Sequence, residues 1–216
     1  MWQAVDGYCE RTSAVYWAEP VNALTNLAFV LAAWLLWRRC AGVPLARAMC
    51  GVLAVIGAGS YLFHTHASGL TGALDVAPIL GFILLYLFAL ARDGLGLAGW
   101  RPWAVTVGFV PYAAATVPVF VALGVPGGSA AYAPVPLLIV IFAGLMWRKA
   151  AATARGLVVG AAILIVSLTF RTLDMPLCGA FPLGTHFLWH LLNALMLGWM
   201  IEVYRRHMLA GGGVGR

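Results

Sequence analysis

The sequence predicts an all-α integral membrane protein, a bundle of seven transmembrane helices with its N-terminus outside and its C-terminus in the cytoplasm. Two observations predict this fold class. Of the 216 residues, 63% are hydrophobic and only 9% are charged, which is more apolar surface than a soluble domain of this size can bury. The apolar residues also form long runs, and a membrane helix needs roughly 20 such residues.

The runs are continuous, whereas a membrane β-barrel would need strands of about 10 residues with alternating polarity. A comparatively polar segment, residues 1–20, comes first. We place the helices at about residues 21–38, 47–66, 73–91, 102–123, 133–148, 156–173 and 185–205. One membrane domain of residues 1–216 is expected, because no polar stretch is long enough to form a separate soluble domain.

The loops between these helices set the orientation. Lys and Arg concentrate in the cytoplasmic loops of membrane proteins. Eleven of the 13 basic residues follow the odd-numbered helices: Arg38, Arg39, Arg47, Arg92, Arg101, Arg148, Lys149, Arg155, Arg205, Arg206 and Arg216. Only Arg11 and Arg171 fall on the other side, which is therefore expected to be the outside.

The net charge of +6 is thus explained by the basic residues of the predicted cytoplasmic loops, which set the orientation of the protein in the membrane. A nucleic-acid-binding protein would need one clustered basic face with aromatic residues, and these charges are scattered over four short loops. The richness in Ala, Gly, Leu and Arg suggests a bacterial genome of high GC content. The expected location is therefore the bacterial inner (cell) membrane, with no nucleic-acid partner and no obligate protein partner.

Five polar side chains from three helices fall in one layer near the outer leaflet. Ser60 and His64 are four residues apart, so they share one face of the second helix. Asp75 lies near the start of the third helix, and His186 and His190, again four apart, open the seventh. Ionisable residues inside a membrane span are costly, which makes them functional candidates.

Three histidines from two helices indicate a zinc site, because catalytic zinc usually has three protein ligands and an open position for water. His64, His186 and His190 would hold an ion whose bound water has a pKa near 7. Asp75 would move that water's proton, and Ser60 would donate to a substrate carbonyl. The alternatives are packing roles for the histidines and for the Gly-x-Gly-Ser stretch, and helix capping for Asp75.

The N-terminal segment adds three carboxylates, Asp6, Glu10 and Glu19. Together they suit a hard cation such as calcium. The alternative is a solvated acidic segment in which Glu19 stabilises a helix N-terminus.

Two further pairs are suggested by position. Cys9 and Cys178 lie on the outer, oxidising side and form the one plausible disulfide, unless both are unpaired. Arg171 and Asp174 are three residues apart on the sixth helix and most simply form an ion pair.

These residues resemble the alkaline ceramidase family of seven-helix membrane hydrolases, whose wider superfamily includes adiponectin-receptor-like proteins. The resemblance covers about residues 6–205. It is carried by Gly59-Ser60-x3-His64, Asp75, His186-x3-His190, Tyr8-Cys9-Glu10 and Glu19-x-x-Asn22. It implies zinc on the three histidines beside the serine and the aspartate, a calcium ion near the N-terminal acids, and an outer disulfide between Cys9 and Cys178.

The calcium set departs from the family pattern at two places. Gly7 stands where the family has an aspartate, so Asp6 would have to substitute from one position earlier. Arg11-Thr12 replaces a stretch where the family supplies an asparagine. Glu10 and Glu19 match the calcium acids of the family.

The resemblance implies an intramembrane zinc-dependent amide hydrolase. It would cleave ceramide or a related N-acyl lipid, entering from the bilayer, to a fatty acid and a sphingoid base or amine. The alternative is an adiponectin-receptor-like receptor or sensor with a mainly structural zinc site.

Overall fold

The computed structural model describes residues 7–212, and within this range the regular secondary structure is helical, with no strands. Ten α-helices occur in it: α1 (Pro20–Thr25), α2 (Leu27–Trp37), α3 (Pro44–His66), α4 (Gly69–Ala89), α5 (Arg101–Val107), α6 (Phe109–Ala122), α7 (Gly127–Ala130), α8 (Pro134–Met146), α9 (Ala151–Leu177) and α10 (His186–His207). Short π-helical turns, Leu90–Gly94 and Met208–Gly212, extend α4 and α10.

These helices make seven spans, each long and apolar enough to cross a membrane. They are Pro20–Trp37, Pro44–His66, Gly69–Gly94, Arg101–Ala122, Gly128–Met146, Ala151–Leu177 and His186–Gly211. The predicted fold class, an all-α protein with seven membrane-spanning helices, is confirmed. Several spans are longer than the apolar runs that predicted them, because the helices continue past the ends of these runs through residues that include Arg155, Asp174 and Arg206.

The outside of the bundle is apolar, as a protein solvated by lipid requires. Large side chains such as Trp34, Val110 and Leu195 are more than half exposed. On a soluble protein so many exposed apolar residues would be an aggregation liability. The structure is therefore that of a multi-pass membrane protein.

Two glycines of α3 let this helix approach its neighbours on two sides. A Cβ at Gly57 would lie 2.9 Å from the backbone oxygen of Asn26, and one at Gly59 would lie 2.3 Å from that of Leu74. The close-packing interpretation of the Gly-x-Gly-Ser stretch is thus confirmed. It places the end of α3 between α4 and the junction of α1 with α2.

Side chains satisfy the backbone where α1 meets α2. The Thr25 hydroxyl bonds the Val21 carbonyl at 2.8 Å, and the Asn26 amide donates to the Asn22 carbonyl at 2.8 Å. Such local bonds replace helical ones at a break in a membrane span. The break brings Thr25 beside α10.

Candidate metal centre

Three buried histidines meet where α3 ends and α10 begins. His64, His186 and His190 each offer one ring nitrogen, and these nitrogens all lie within 4.8 Å of one another. Each residue is only 1% exposed. The spacing on α10 puts two of the rings on one face, and α3 delivers the third. The structure therefore brings together the three predicted zinc ligands.

The cluster contains polar atoms that lack partners. Nε2 of His64 and Nδ1 of His186 are buried and make no hydrogen bond. An unsatisfied buried polar atom costs free energy and is uncommon. A packing role would not explain this arrangement, whereas a bound metal ion would satisfy the free nitrogens. The three histidines can hold a metal ion, and zinc accepts an all-imidazole set.

Neighbouring side chains orient two of the rings. Nδ1 of His64 donates to the carboxylate of Glu19 at 2.6 Å, which leaves Nε2 with its lone pair. The Thr25 hydroxyl donates to the backbone, so its oxygen accepts from Nδ1 of His190 at 3.0 Å. Ligating histidines commonly bond such partners through the second nitrogen.

Glu19 is itself held in place from two sides. Its carboxylate contacts the Arg11 guanidinium and accepts from the Asn22 amide at 3.1 Å. Burial disfavours the charged carboxylate, but the bonds from His64 and Arg11 outweigh this effect and lower the pKa of Glu19 below its ordinary value. Glu19 is therefore in its carboxylate form when it orients the ring of His64.

Asp174 fixes the start of α10. Its carboxylate accepts from the backbone N–H groups of Thr185, His186 and Cys9 at 2.7, 2.8 and 2.9 Å. The predicted ion pair with Arg171 is wrong, because both oxygens satisfy N–H groups, two of them at the unpaired end of the helix. Gly184, at φ 71°, allows this contact, since a Cβ there would lie 2.3 Å from the carboxylate.

The predicted disulfide between Cys9 and Cys178 is present, with 5.4 Å between the Cα atoms. It joins the N-terminal segment to the end of α9. The bond therefore ties the segment that carries Glu10, Arg11 and Glu19 to the loop before α10.

Ser60 and Asp75 line one cavity together with His190. The capping interpretation of Asp75 is wrong, because α4 begins at Gly69 and its N-cap is Ser68, whose hydroxyl accepts from the Thr71 N–H. Asp75 instead lies in the second turn. Away from these polar groups the cavity wall is mostly apolar and reaches as far as Tyr86 and other residues of α4, α8 and α10.

A sequence model of the Ceramidase family matches residues 4–210. The chain belongs to this family. Membership indicates a ceramidase-like hydrolase that acts on amide bonds, and it agrees with a histidine cluster beside an apolar cavity. No curated protein matches the chain.

The calcium site implied by the ceramidase resemblance does not fit the described residues. Asp6 lies outside them. Both oxygens of Glu10 accept backbone N–H groups, from Val21 and Asn22, at 2.8 Å each, and burial raises the pKa of this carboxyl. Glu10, and not Glu19, therefore stabilises the helix N-terminus. The oxygens of Glu19 are already bound to His64, Arg11 and Asn22.

Two arginines of this ceramidase-family protein have contacts that were not predicted from the sequence. Arg11 contacts Glu19, and the guanidinium of Arg171 lies 5.2–5.8 Å from the ring centres of Tyr8, Tyr132 and Trp189. The ring of Tyr8 stacks on His186 at 3.8 Å. The charge distribution could have singled out both residues, because Arg11 and Arg171 are the two basic residues that do not lie in the predicted cytoplasmic loops.

Proposed function

We propose that this protein is an intramembrane zinc-dependent amide hydrolase. Its substrate would be ceramide or a related N-acyl lipid, and its products a free fatty acid and a sphingoid base or amine. One observation carries the proposal: His64, His186 and His190 form a buried cluster with unpartnered ring nitrogens beside an apolar cavity. Membership in the Ceramidase family supports the amide as the bond that is cleaved.

Zinc bound to the three histidines would supply Lewis acidity and a water with a pKa near 7. The protein's part is to aim the histidine nitrogens. Glu19 fixes the ring of His64, and Thr25 fixes that of His190. The donor atoms are thereby oriented before a substrate arrives, which lowers the cost of organising the site during the reaction.

Asp75 is the proposed proton carrier. An amide nitrogen leaves readily only after it gains a proton, and a carboxylate in the cavity can take a proton from the attacking water and pass it to that nitrogen. Ser60 lines the same cavity, and its hydroxyl would donate a hydrogen bond to the carbonyl oxygen as negative charge develops there. If His64, His186 and His190 all bind zinc, none of these three is free to act as the base that would make Ser60 a nucleophile.

The cavity accounts for a lipid substrate. Its wall carries Ile79, Phe82, Ile83 and Leu87 from α4, and Ser60, Asp75 and His190 line the same cavity. An acyl chain would lie along the apolar wall with its amide beside the histidines, a division typical of ligand sites. The lipid would enter from the bilayer. The distribution of basic residues supports a site toward the outer leaflet of a bacterial inner membrane.

The test uses purified full-length protein with a panel of N-acyl lipids and matched esters, and lipid mass spectrometry identifies the products. We expect zinc-dependent release of fatty acid from an amide. Asp75→Asn should lower turnover by about 10²–10⁴-fold, the usual contribution of a general acid–base, while zinc content stays unchanged.

His66→Ala is the matched control, because His66 ends the same helix as His64 but is exposed. It should retain both zinc and turnover. Turnover that persists after removal of zinc would contradict the proposal. If the wild-type protein binds zinc but hydrolyses none of the amides, the receptor alternative is favoured.

A further inference from the structure

We infer that Arg11 replaces the calcium ion implied by the family resemblance and acts as a built-in cation that positions the metal ligand His64. Only the naming of His64 as a zinc ligand rests on the proposed function. The inference combines a buried cation, the oxygen atoms around it and their connection to the histidine cluster.

Arg11 is buried among oxygen atoms of the N-terminal segment and of the end of α3. Its side chain is 5% exposed. Nε contacts the Glu19 carboxylate, Nη2 donates to the His64 carbonyl at 3.0 Å, and Nη1 donates to the Ser13 carbonyl at 3.2 Å. Carboxylate and carbonyl oxygens are the ligands that Ca²⁺ prefers. Here they converge on a guanidinium.

Few free side-chain oxygens remain in this part of the described residues for a calcium ion. Ca²⁺ takes about six to eight oxygen ligands. Each oxygen of Glu10 accepts a backbone N–H, and those of Glu19 accept from Arg11, His64 and Asn22. Among the buried side-chain oxygens of the described residues, only Oδ1 of Asn22 and Oδ1 of Asn26 have no hydrogen-bond partner. The positive charge of Arg11 would also repel a divalent cation at this position.

Arg11 controls His64 through two routes. The first runs through Glu19, which accepts from both the guanidinium and Nδ1 of His64. The second is direct, since the His64 carbonyl is one of the last four of α3, which have no helical partner. Arg11 thus fixes the backbone and the ring of the same residue. It is a positioning residue for the metal site.

Calcium binding is the first test. Zinc-loaded full-length protein in detergent is dialysed against radioactive Ca²⁺, and its thermal unfolding is followed in millimolar CaCl₂ or MgCl₂. We expect no stoichiometric calcium binding and the same midpoint in both salts. One bound Ca²⁺ per chain, or a midpoint that rises with calcium but not with magnesium, would overturn the inference.

Zinc affinity is the second test, measured by competition with a chromophoric chelator. Arg11→Ala should weaken zinc binding by about 10–100-fold, the usual effect of losing a partner that orients a ligand. Free guanidinium ion at millimolar concentration should restore part of this affinity. Arg206→Ala, a change of an exposed arginine far from the cluster, should leave it unchanged.

Arg11→Lys keeps the test decisive if the alanine variant does not fold. A lysine retains the charge but lacks the planar fork, so we expect zinc affinity between those of the wild type and Arg11→Ala. Wild-type zinc affinity in either folded variant would overturn the inference. Neither test measures turnover, so a failure of the hydrolase proposal would be seen separately.

Discussion

At the histidine end of the bundle, where α3 ends and α10 begins, carboxylates bond to buried partners. Glu19 bonds His64 and Arg11, while Asp174 bonds backbone N–H groups. At the opposite end, where α10 finishes, Glu202 pairs with Arg39 and Arg206, whose side chains are 57% and 63% exposed, and with Arg205.

The two ends therefore differ in what a lost charge would cost. An exposed ion pair is worth about 0–1 kcal/mol, because solvent screens it and long side chains lose entropy in forming it. Loss of a buried partner leaves a charge or polar group that water cannot reach, which costs more. At the opposite end two of the three arginines that pair with Glu202 lie at the surface, whereas the histidine end uses charge to orient individual side chains.

The largest effect is expected for a histidine of the cluster. His190→Ala should abolish stoichiometric zinc binding and lower hydrolysis by more than about 100-fold, because even the loss of a partner that only orients a ligand costs about 10–100-fold. Metal analysis by mass spectrometry measures the first effect. His207→Ala is the control at the opposite end, where His207 bonds Thr153. A similar loss of zinc in this variant would contradict the assignment of the zinc site to His64, His186 and His190.

The second prediction compares two carboxylates of different environment. Glu19→Gln keeps the size of the side chain but removes the charge that orients His64, so zinc affinity should fall by about 10–100-fold. Glu202→Gln should leave zinc affinity unchanged. Equal effects in chelator competition would show that position relative to the cluster is irrelevant.

Two glycines of α3 give the third prediction. Gly59→Ala would place a methyl group 2.3 Å from the Leu74 carbonyl, so α3 and α4 must separate, at a cost of about 1–3 kcal/mol. Gly51→Ala meets no atom within 4 Å and should be neutral or stabilising, since alanine favours helices. Unfolding in mixed detergent compares the two. A neutral Gly59→Ala would contradict the close packing beside Ser60.

The smallest effect is expected for an exposed arginine. Arg206→Ala should change the free energy of unfolding by less than about 1 kcal/mol, because two other arginines still pair with Glu202. The same unfolding assay measures it. A larger loss would mean that the opposite end is as tightly organised as the histidine end.

The sequence predicted the seven helices well, because long apolar runs have one stable form in lipid. It also predicted the histidine cluster, since two of the histidines are four residues apart on one helix and the loop charges placed the third at the same end. The apolar runs and the four-residue spacing are local features of the sequence. The side of the membrane on which each helix end lies follows from the number of helices.

Interactions between distant segments could not be predicted in this way. Asp174 was expected to bond Arg171, three residues away, but it bonds Cys9, 165 residues away in sequence. Arg11 and His64 are 53 residues apart. The start of α4 was misplaced because the Ser68 cap lies in a stretch that is not apolar, and Asp75 was therefore given an incorrect alternative role.

Zinc X-ray absorption spectroscopy of the purified protein, with metal quantification, tests the central claim most directly. The account predicts one zinc per chain with three imidazole nitrogens at about 2.0–2.1 Å. His64→Ala and His190→Ala should each lose this signal, while His66→Ala should keep it. A protein without zinc, a shell of sulfur ligands, or an unchanged spectrum in His64→Ala would contradict it.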